Sequence, residues 1–490
     1  MENLKQYRKK IDSLDKEIID LLDQRMEVSK EIGRIKAVSG INTESKSREA
    51  EILKNIEKYN NSKYIKNIYN EVFKNSKAVQ DYKFFLVGKS LNYSFSPIIY
   101  EMFGLDNYNL FPTANFNDVL KINFSGINIT NPFKYDAFNA CDQLDESAKI
   151  TGVVNTIIRQ DNKLIGYNTD YFGFSKLLEF HNINLVNKKV LIIGNGATSK
   201  TITKVLETKQ VSEISYLVRN IKNEFEHNIN DFNKFIDYEI IINATPHGTY
   251  PECEDDLLFS LDGFNKLEAL IDVVYNPDKT PLLMYESVGV KKVNGLMMLV
   301  AQAAAAASLY TKIDYRNNIE EVYRKLNFSL KNIVLIGMPY SGKSRVGREL
   351  SELLNHKLID IDLLMEANKH DLASILEVSD ESTFRKLEEE YAFKFSKERG
   401  QIISTGGGIV LSEKAMRAFK KNSVIVFIDT PLEALIKRID NSRPLVKNKE
   451  DLINLYNQRI GLYKKYCDII ITDTSDTNKI METIYEYINN

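Results

Sequence analysis

Residues 333–347 read IVLIGMPYSGKSRVG. An apolar run enters Gly337, and Gly342-Lys343-Ser344 follow. A strand that ends in G-x-x-x-x-G-K-S and then opens a helix is the phosphate loop of nucleotide-binding α/β domains. Its backbone N–H groups and Lys343 are expected to hold the phosphates of ATP, with Ser344 as a Mg²⁺ ligand. The loop names a phosphate donor and leaves the acceptor open.

The 490 residues exceed one core, and roughly two to four domains are expected. A hydrophobic content of 43% and a charged content of 27% are ordinary for globular chains. The net charge of −2 gives no global attraction to nucleic acid or membrane, so neither is expected as a partner. Anionic substrates must then be met by locally placed Lys and Arg. Cys141, Cys253 and Cys467 are far apart, and the His are scattered. That spacing suits neither a disulfide framework nor a structural zinc and fits a reducing compartment. The start, MENLKQYRKK, lacks the apolar core of a signal peptide, so a cytoplasmic protein is expected. The apolar run 296–310 is short for a bilayer, contains Gln302 and reads as a buried helix.

Periodicity changes twice along the chain. Residues 1–81 read as all-helical. Residues 82–328 alternate short apolar strands with helices, and their Rossmann part spans about 185–290. Residues 331–490 form a second strand-helix series around the phosphate loop. The expected fold is thus an all-α N-terminal domain, a two-lobed α/β domain with a Rossmann nucleotide part, and an α/β P-loop domain.

In the first segment Leu4, Tyr7, Ile11, Leu14, Ile18 and Leu21 are spaced by three and four, and Val28, Ile32 and Ile35 continue the row. A helix of over 30 residues, about 50 Å, needs partners, and a helical homodimer is expected. Arg25 interrupts the apolar row, with Arg8 and Lys36 flanking it. A buried guanidinium needs a counter-charge, and three cations along one face suit a small dianion. Ser76 and Gln80 continue the apolar row of a helix read over 64–80. Together with Arg48-Glu49, these residues resemble the all-helical chorismate mutases. The resemblance implies that Arg8, Arg25 and Arg48 hold the carboxylates of chorismate. It further implies that Glu49 and Ser76 contact substrate, and that Lys36 and Gln80 stabilise the ether oxygen in the transition state. It also implies an active site shared by two chains. Ser45 stands where that family usually has an acid. The alternative for this segment is a non-catalytic dimerisation and feedback-sensing module.

In the second segment LIIGNGATSK (191–200) places Gly194 and Gly196 after an apolar strand, with Ser199 at the third position of a dinucleotide fingerprint. Arg219 ends the next strand, where a cation suits a 2′-phosphate and predicts NADP(H). Upstream lie YSFSP (93–97), NITNPFK (128–134), GVVNT (152–156) and YNTD (167–170); downstream lie NATPHG (243–248), DVVYNPDKTPLL (272–283) and GLMMLVAQAA (295–304). In this order they resemble shikimate dehydrogenase. The resemblance assigns Ser94 and Ser96 to the substrate carboxylate, and Thr130, Asn155 and Gln302 to ring hydroxyls. It places Tyr275 in the pocket and makes Lys134 and Asp170 the catalytic pair. The implied reaction is NADPH-dependent reduction of 3-dehydroshikimate to shikimate, with quinate as the alternative substrate. Tyr100 stands where the family generally has His.

In the third segment LIDID (358–362) is expected to place Asp360 and Asp362 on one side of a strand end. STFRKLEEE with Arg385, STGGGIV, NSRPLV with Arg443 and YNQRIGLY with Arg459 follow. Two arginines and a backbone N–H turn suit a small carboxylate. The combination resembles shikimate kinase, with a gluconate-type kinase as runner-up. The resemblance gives Asp362, Arg385, Gly407, Gly408 and Arg459 to shikimate and Asp360 with Ser344 to Mg²⁺. Arg443 is expected in a lid over the phosphates, and Asp362 is expected to orient the acceptor hydroxyl.

Overall fold

The computed structural model describes residues 2–39, 41, 45–251, 253, 256–367, 381–440, 446 and 448–489. The chain divides into two compact units, Met1–Glu239 with Met297–Val322 and Ile240–Leu296 with Tyr323–Asn490.

The first unit opens with helices α1 (Glu2–Ser39), α2 (Lys46–Ile56) and α3 (Ser62–Ala78). The three-and-four spacing does produce one long helix. Its apolar row nevertheless faces outward within the chain: Tyr7 is 67% exposed, Ile18 53% and Ile35 63%. Gly33 is where α1 closes on the end of α3, since a Cβ there would stand 2.6 Å from Gln80 Cα. Helix α3 stops at Ala78, so Gln80 lies in the following turn and not, as the spacing predicts, within the helix. Its backbone N–H instead bonds the Lys77 carbonyl.

The first sheet contains β1 (Phe84–Gly88), β2 (Tyr108–Pro112), β3 (Gly126–Ile129), β4 (Gln143–Leu144), β5 (Thr156–Gln160) and β6 (Lys163–Tyr167). Its order is β2-β1-β3-β5-β6-β4. β1, β2 and β3 are parallel, and β5 returns antiparallel to β3 and β6. FFLVG is a continuous apolar run and GINI is buried at every position, Asn128 included, because both sheet faces are covered. Phe85, Phe111, Phe124, Ile127 and Ile157 form the core beneath them. The parallel strands β7 (Lys189–Ile193), β8 (Glu213–Val218) and β9 (Glu226–Asn228) carry the Rossmann-like dinucleotide turn.

The second unit begins with parallel β10 (Ile240–Asn243), β11 (Ala269–Asp272) and β12 (Lys291–Val293). A parallel sheet follows, made of β13 (Asn332–Ile336), β14 (Lys357–Asp360), β15 (Gln401–Ser404), β16 (Ser423–Ile428) and β17 (Ile469–Ile471), in the order β14-β15-β13-β16-β17. The turn after β11 is bound tightly to this sheet's domain. Asp278 forms a buried ion pair with Lys331, and its N–H donates to Asn422 Oδ1 at 2.9 Å. Arg399 donates to Asn276 Oδ1 at 2.5 Å. The segment after Leu296 is indeed a buried helix, Leu296–Thr311. Among the described residues no helix is long and apolar enough to cross a membrane.

Candidate active sites

Lys134 begins the helix Lys134–Ala140 and Asp170 lies in the first turn of the helix Thr169–Phe180. Lys134 Nζ donates to Asp170 Oδ2 at 2.6 Å, and both residues are buried. Such a pair holds a proton on nitrogen, next to a carboxylate that fixes its direction. Around it, the Thr169 N–H donates to Asn155 Oδ1 at 2.7 Å and Thr169 Oγ1 to Gln302 Oε1 at 3.3 Å. Ser94 Oγ donates to Ser96 Oγ at 3.1 Å. Thr130 directly follows β3, and its carbonyl accepts from the Phe133 N–H in the turn leading to Lys134. Tyr275 stands just past β11 in the second unit.

At the dinucleotide turn Gly194 has a φ of +101°, a left-handed value that glycine adopts without a Cβ clash. Gly196 caps the helix Ala197–Glu207, whose first turn contains buried Ser199. The N-terminal end of that helix presents N–H groups suited to a pyrophosphate. Arg219 is exposed directly after β8. Glu226 was not anticipated here. It accepts from Asn195 Nδ2 at 3.1 Å and from the Lys222 N–H at 2.6 Å, and so fastens the turn to the start of β9.

The phosphate loop follows β13 as expected. Gly337 packs against β16, where a Cβ would lie 2.8 Å from the Ile428 carbonyl oxygen. Gly342 has a φ of +95° and precedes the helix Lys343–Leu354. Lys343 Nζ arches over the loop and donates to the Gly337 and Met338 carbonyls, both at 2.9 Å. Ser344 Oγ donates to Asp360 Oδ2 at 2.8 Å. Asp360 ends β14, whereas Asp362 lies in the first turn of the helix Ile361–Ala367. The strand-alternation argument for these two acids therefore fails. The chain turns into a helix between them, and the helical step brings Asp362 to the glycine turn instead.

That turn draws together residues expected at the acceptor. A Cβ on Gly406 would stand 2.9 Å from Asp362 Oδ1 and 2.5 Å from Glu388 Oε1, and one on Gly408 would stand 2.0 Å from Arg385 Nη1. Arg385 also bonds Glu388. Arg459 is buried, and one turn later Tyr463 donates to the Gly407 carbonyl at 2.5 Å. Burial pushes the Glu388 carboxyl up to about 7 against the opposing pull of Arg385. Arg443 lies outside the described residues.

In the helical segment Arg25 Nη1 donates to Ser76 Oγ, and Lys36 Nζ donates to Gln80 Oε1 at 3.3 Å. Glu49 pairs with Lys77 at 3.0 Å and Arg48 with Glu51 at 2.6 Å. Arg8 is exposed near the start of α1, away from this group in sequence by several turns.

The chain is 35% identical over 267 residues to the shikimate dehydrogenase (NADP(+)) of Clostridium perfringens, covering 50% of this chain and 97% of that protein. The chain belongs to the shikimate dehydrogenase family. The enzyme of that name from Methanococcus maripaludis is 34% identical over 257 residues, covering 46% of this chain and 91% of that protein. Among solved structures, a chorismate mutase/shikimate 5-dehydrogenase fusion protein from Clostridium acetobutylicum is 28% identical and covers 50% of this chain and 96% of that one, with a TM-score of 0.45. Residues 86–157 match the family model for the shikimate dehydrogenase substrate binding domain, residues 339–489 that for shikimate kinase and residues 7–81 that for chorismate mutase type II. These domains make the chain a multifunctional enzyme of the shikimate pathway, using NADP and ATP. The mutase match favours a catalytic helical domain over a sensing module.

Glu388 is the main acceptor-site group that the sequence reading of this kinase domain missed. Its signal was present, because it sits three residues after Arg385 on the helix Glu381–Ser396. In the dehydrogenase domain the unassigned residues are Asn128, Thr156 and Thr169, each inside a motif already singled out.

Proposed function

We propose that the chain performs two consecutive steps on one oxygen and, separately, a pericyclic rearrangement. In the dehydrogenase domain the substrate is 3-dehydroshikimate. Bound NADPH supplies hydride to its C3 carbonyl. Lys134 gives the resulting alkoxide its proton, and Asp170 holds that ammonium in place and stabilises its charge. Ser94 and Ser96 meet the carboxylate, and Thr130, Asn155 and Gln302 meet the hydroxyls. Exposed Arg219 takes the 2′-phosphate, and Gly194, Gly196 and Ser199 line the pyrophosphate turn.

The kinase domain then phosphorylates the hydroxyl just made. Asp362 orients it, while Arg385, Arg459 and the Gly407–Gly408 backbone hold the carboxylate. Ser344 and Asp360 offer two oxygens side by side, a donor set that would hold Mg²⁺. Mg²⁺ there supplies charge neutralisation at the phosphates, and Lys343 withdraws charge from the transferring group. In the helical domain Arg25 and Lys36 bind and polarise chorismate, with Gln80 beside Lys36. The exposed apolar row of α1 suits a second copy of the chain, and a homodimer would bring Arg8 to the partner site. Cytoplasmic location and domain limits of 1–81, 82–328 and 331–490 complete this reading.

The buried Lys134–Asp170 pair carries the proposal, because it sets a proton donor beside a carboxylate that orients it. The test is a steady-state assay of the whole chain with dehydroshikimate, NADPH, ATP and Mg²⁺, following shikimate and its 3-phosphate. Appearance of both products in sequence is expected. NADPH oxidation without any phosphorylated product would remove the kinase half of the proposal.

A further inference from the structure

Beside the Lys134–Asp170 pair runs a buried hydrogen-bond chain with a fixed direction. It starts at three tyrosines. The hydroxyls of Tyr100, Tyr108 and Tyr310 all donate to Asn128 Oδ1, at 2.6, 2.7 and 2.9 Å. Burial pushes all three phenols far above their usual range, so they remain proton donors. Tyr100 and Tyr108 stack with centroids 3.7 Å apart. Tyr310 fits because residue 126 is glycine, as a Cβ there would stand 2.2 Å from its ring.

Three hydroxyl donors on one amide oxygen leave Asn128 a single favourable orientation. Its Nδ2 must point the other way, where it donates to Thr156 Oγ1 at 3.0 Å. With a lone pair of Thr156 so used, its one proton passes on to Thr169 Oγ1 or Asn155 Oδ1, both 3.1 Å away. Thr169 in turn reaches Gln302 Oε1 at 3.3 Å and Asn155 Oδ1 at 3.2 Å, while its backbone N–H donates to Asn155 Oδ1 at 2.7 Å. The chain therefore terminates on two amide oxygens. The amide nitrogens are left over. Asn155 Nδ2 makes no hydrogen bond among the described residues, and Gln302 Nε2 makes one of its two, to the Leu299 carbonyl at 3.0 Å.

We infer that Asn128 and Thr156 are positioning residues whose directional chain, anchored jointly by the three tyrosine hydroxyls, makes Asn155 and Gln302 pure N–H donors toward the substrate. This wall then accepts carbonyl and hydroxyl oxygens presented as acceptors and rejects an amino or ammonium group at the same position. The inference rests on the reading that Asn155 and Gln302 touch substrate. The phenol of Tyr100, where the resembled family generally has His, is one of three redundant anchors. An amide oxygen has two lone pairs, so the loss of one anchor should matter little.

Four full-chain variants test it in dehydroshikimate titrations at saturating NADPH. Asn128→Asp replaces the donor to Thr156 by an acceptor and reverses the chain. Thr156→Val removes the relay hydroxyl at constant shape, and Thr156→Ser restores it. Asn155→Ala reports on the pocket itself. Asn128→Asp and Thr156→Val are expected to raise the KM for dehydroshikimate about tenfold, the effect of one misdirected buried hydrogen bond, with less change in kcat. Thr156→Ser should stay near the parent. The KM for NADPH and the kinase rate of the same preparations should be unchanged, which a general folding defect would not allow. A raised KM in Asn155→Ala with parental values in Asn128→Asp and Thr156→Val would overturn the relay alone. A parental KM in Asn155→Ala would overturn the pocket reading and the relay with it.

Discussion

The Lys134–Asp170 pair and the Arg25–Lys36 row are both proposed to face small carboxylated rings, yet only the first is closed within a single chain. Lys134 and Asp170 are buried and bonded to each other, with Asn155 and Gln302 fixed nearby. Arg25 and Lys36 are fixed by Ser76 and Gln80, but the helix that presents them leaves its apolar row exposed, and Arg8 stays apart. The difference lies in packing. A sheet covered on both faces supplies its own low-dielectric wall, whereas a lone long helix can obtain one only from another helix.

The sharpest test of that contrast is Lys134→Met, expected to lower dehydrogenase kcat by about 10²–10⁴-fold, the scale of a lost general acid, while leaving kinase and mutase rates alone. Loss of less than about fivefold would mean that the buried pair is structural. Next, Ile18→Asp places a charge on the exposed row. If a second copy covers it, sedimentation should show monomers and chorismate turnover should fall about a hundredfold, a burial-scale penalty of roughly 3 kcal/mol, with dehydrogenase activity kept. An unchanged mutase rate in a monomeric variant would break the comparison.

A smaller effect concerns the buried acid of the kinase site. The Glu388 carboxyl is raised from 4.5 to about 7 in the folded chain. Its contribution to stability is therefore fully present below about pH 4.5 and is lost as pH rises through about 7, for a total of about 3 kcal/mol. Chemical denaturation of Glu388→Gln across that window should show a flatter pH dependence than the parent. Identical slopes would contradict the assignment. The smallest expected effect is at the exposed cofactor residue. Arg219→Asp should move the NADPH-to-NADH preference by about tenfold, in keeping with one screened charge contact. An unmoved ratio would remove Arg219 from the 2′-phosphate.

The motifs were legible because their chemistry is local. A phosphate loop needs glycines and a lysine at fixed offsets, and Gly337, Gly342, Lys343 and Ser344 stand as their spacing requires. The alternation of Asp360 and Asp362 misled for the same local reason. Period two applies only while the strand continues, and here it ends at Asp360. Gln80 was placed in a helix by periodicity although the helix closes at Ala78. Glu388 carried a visible spacing to Arg385, but its raised pKa comes from burial, which no local pattern states.

By itself the sequence determined the donor loop and the cations of the helical row, each a matter of residue type at short spacing, and the order of the domains through its changes of periodicity; the pairing of Lys134 with Asp170, 36 residues apart, followed from the family resemblance. Only the tertiary structure decided how Asn128 is turned. Its three tyrosine partners come from positions 100, 108 and 310, and the reach of Tyr310 depends on a missing Cβ at Gly126. The physical reason is that hydrogen-bond direction is set by every donor that converges on an atom, and such convergence is a property of packing in space.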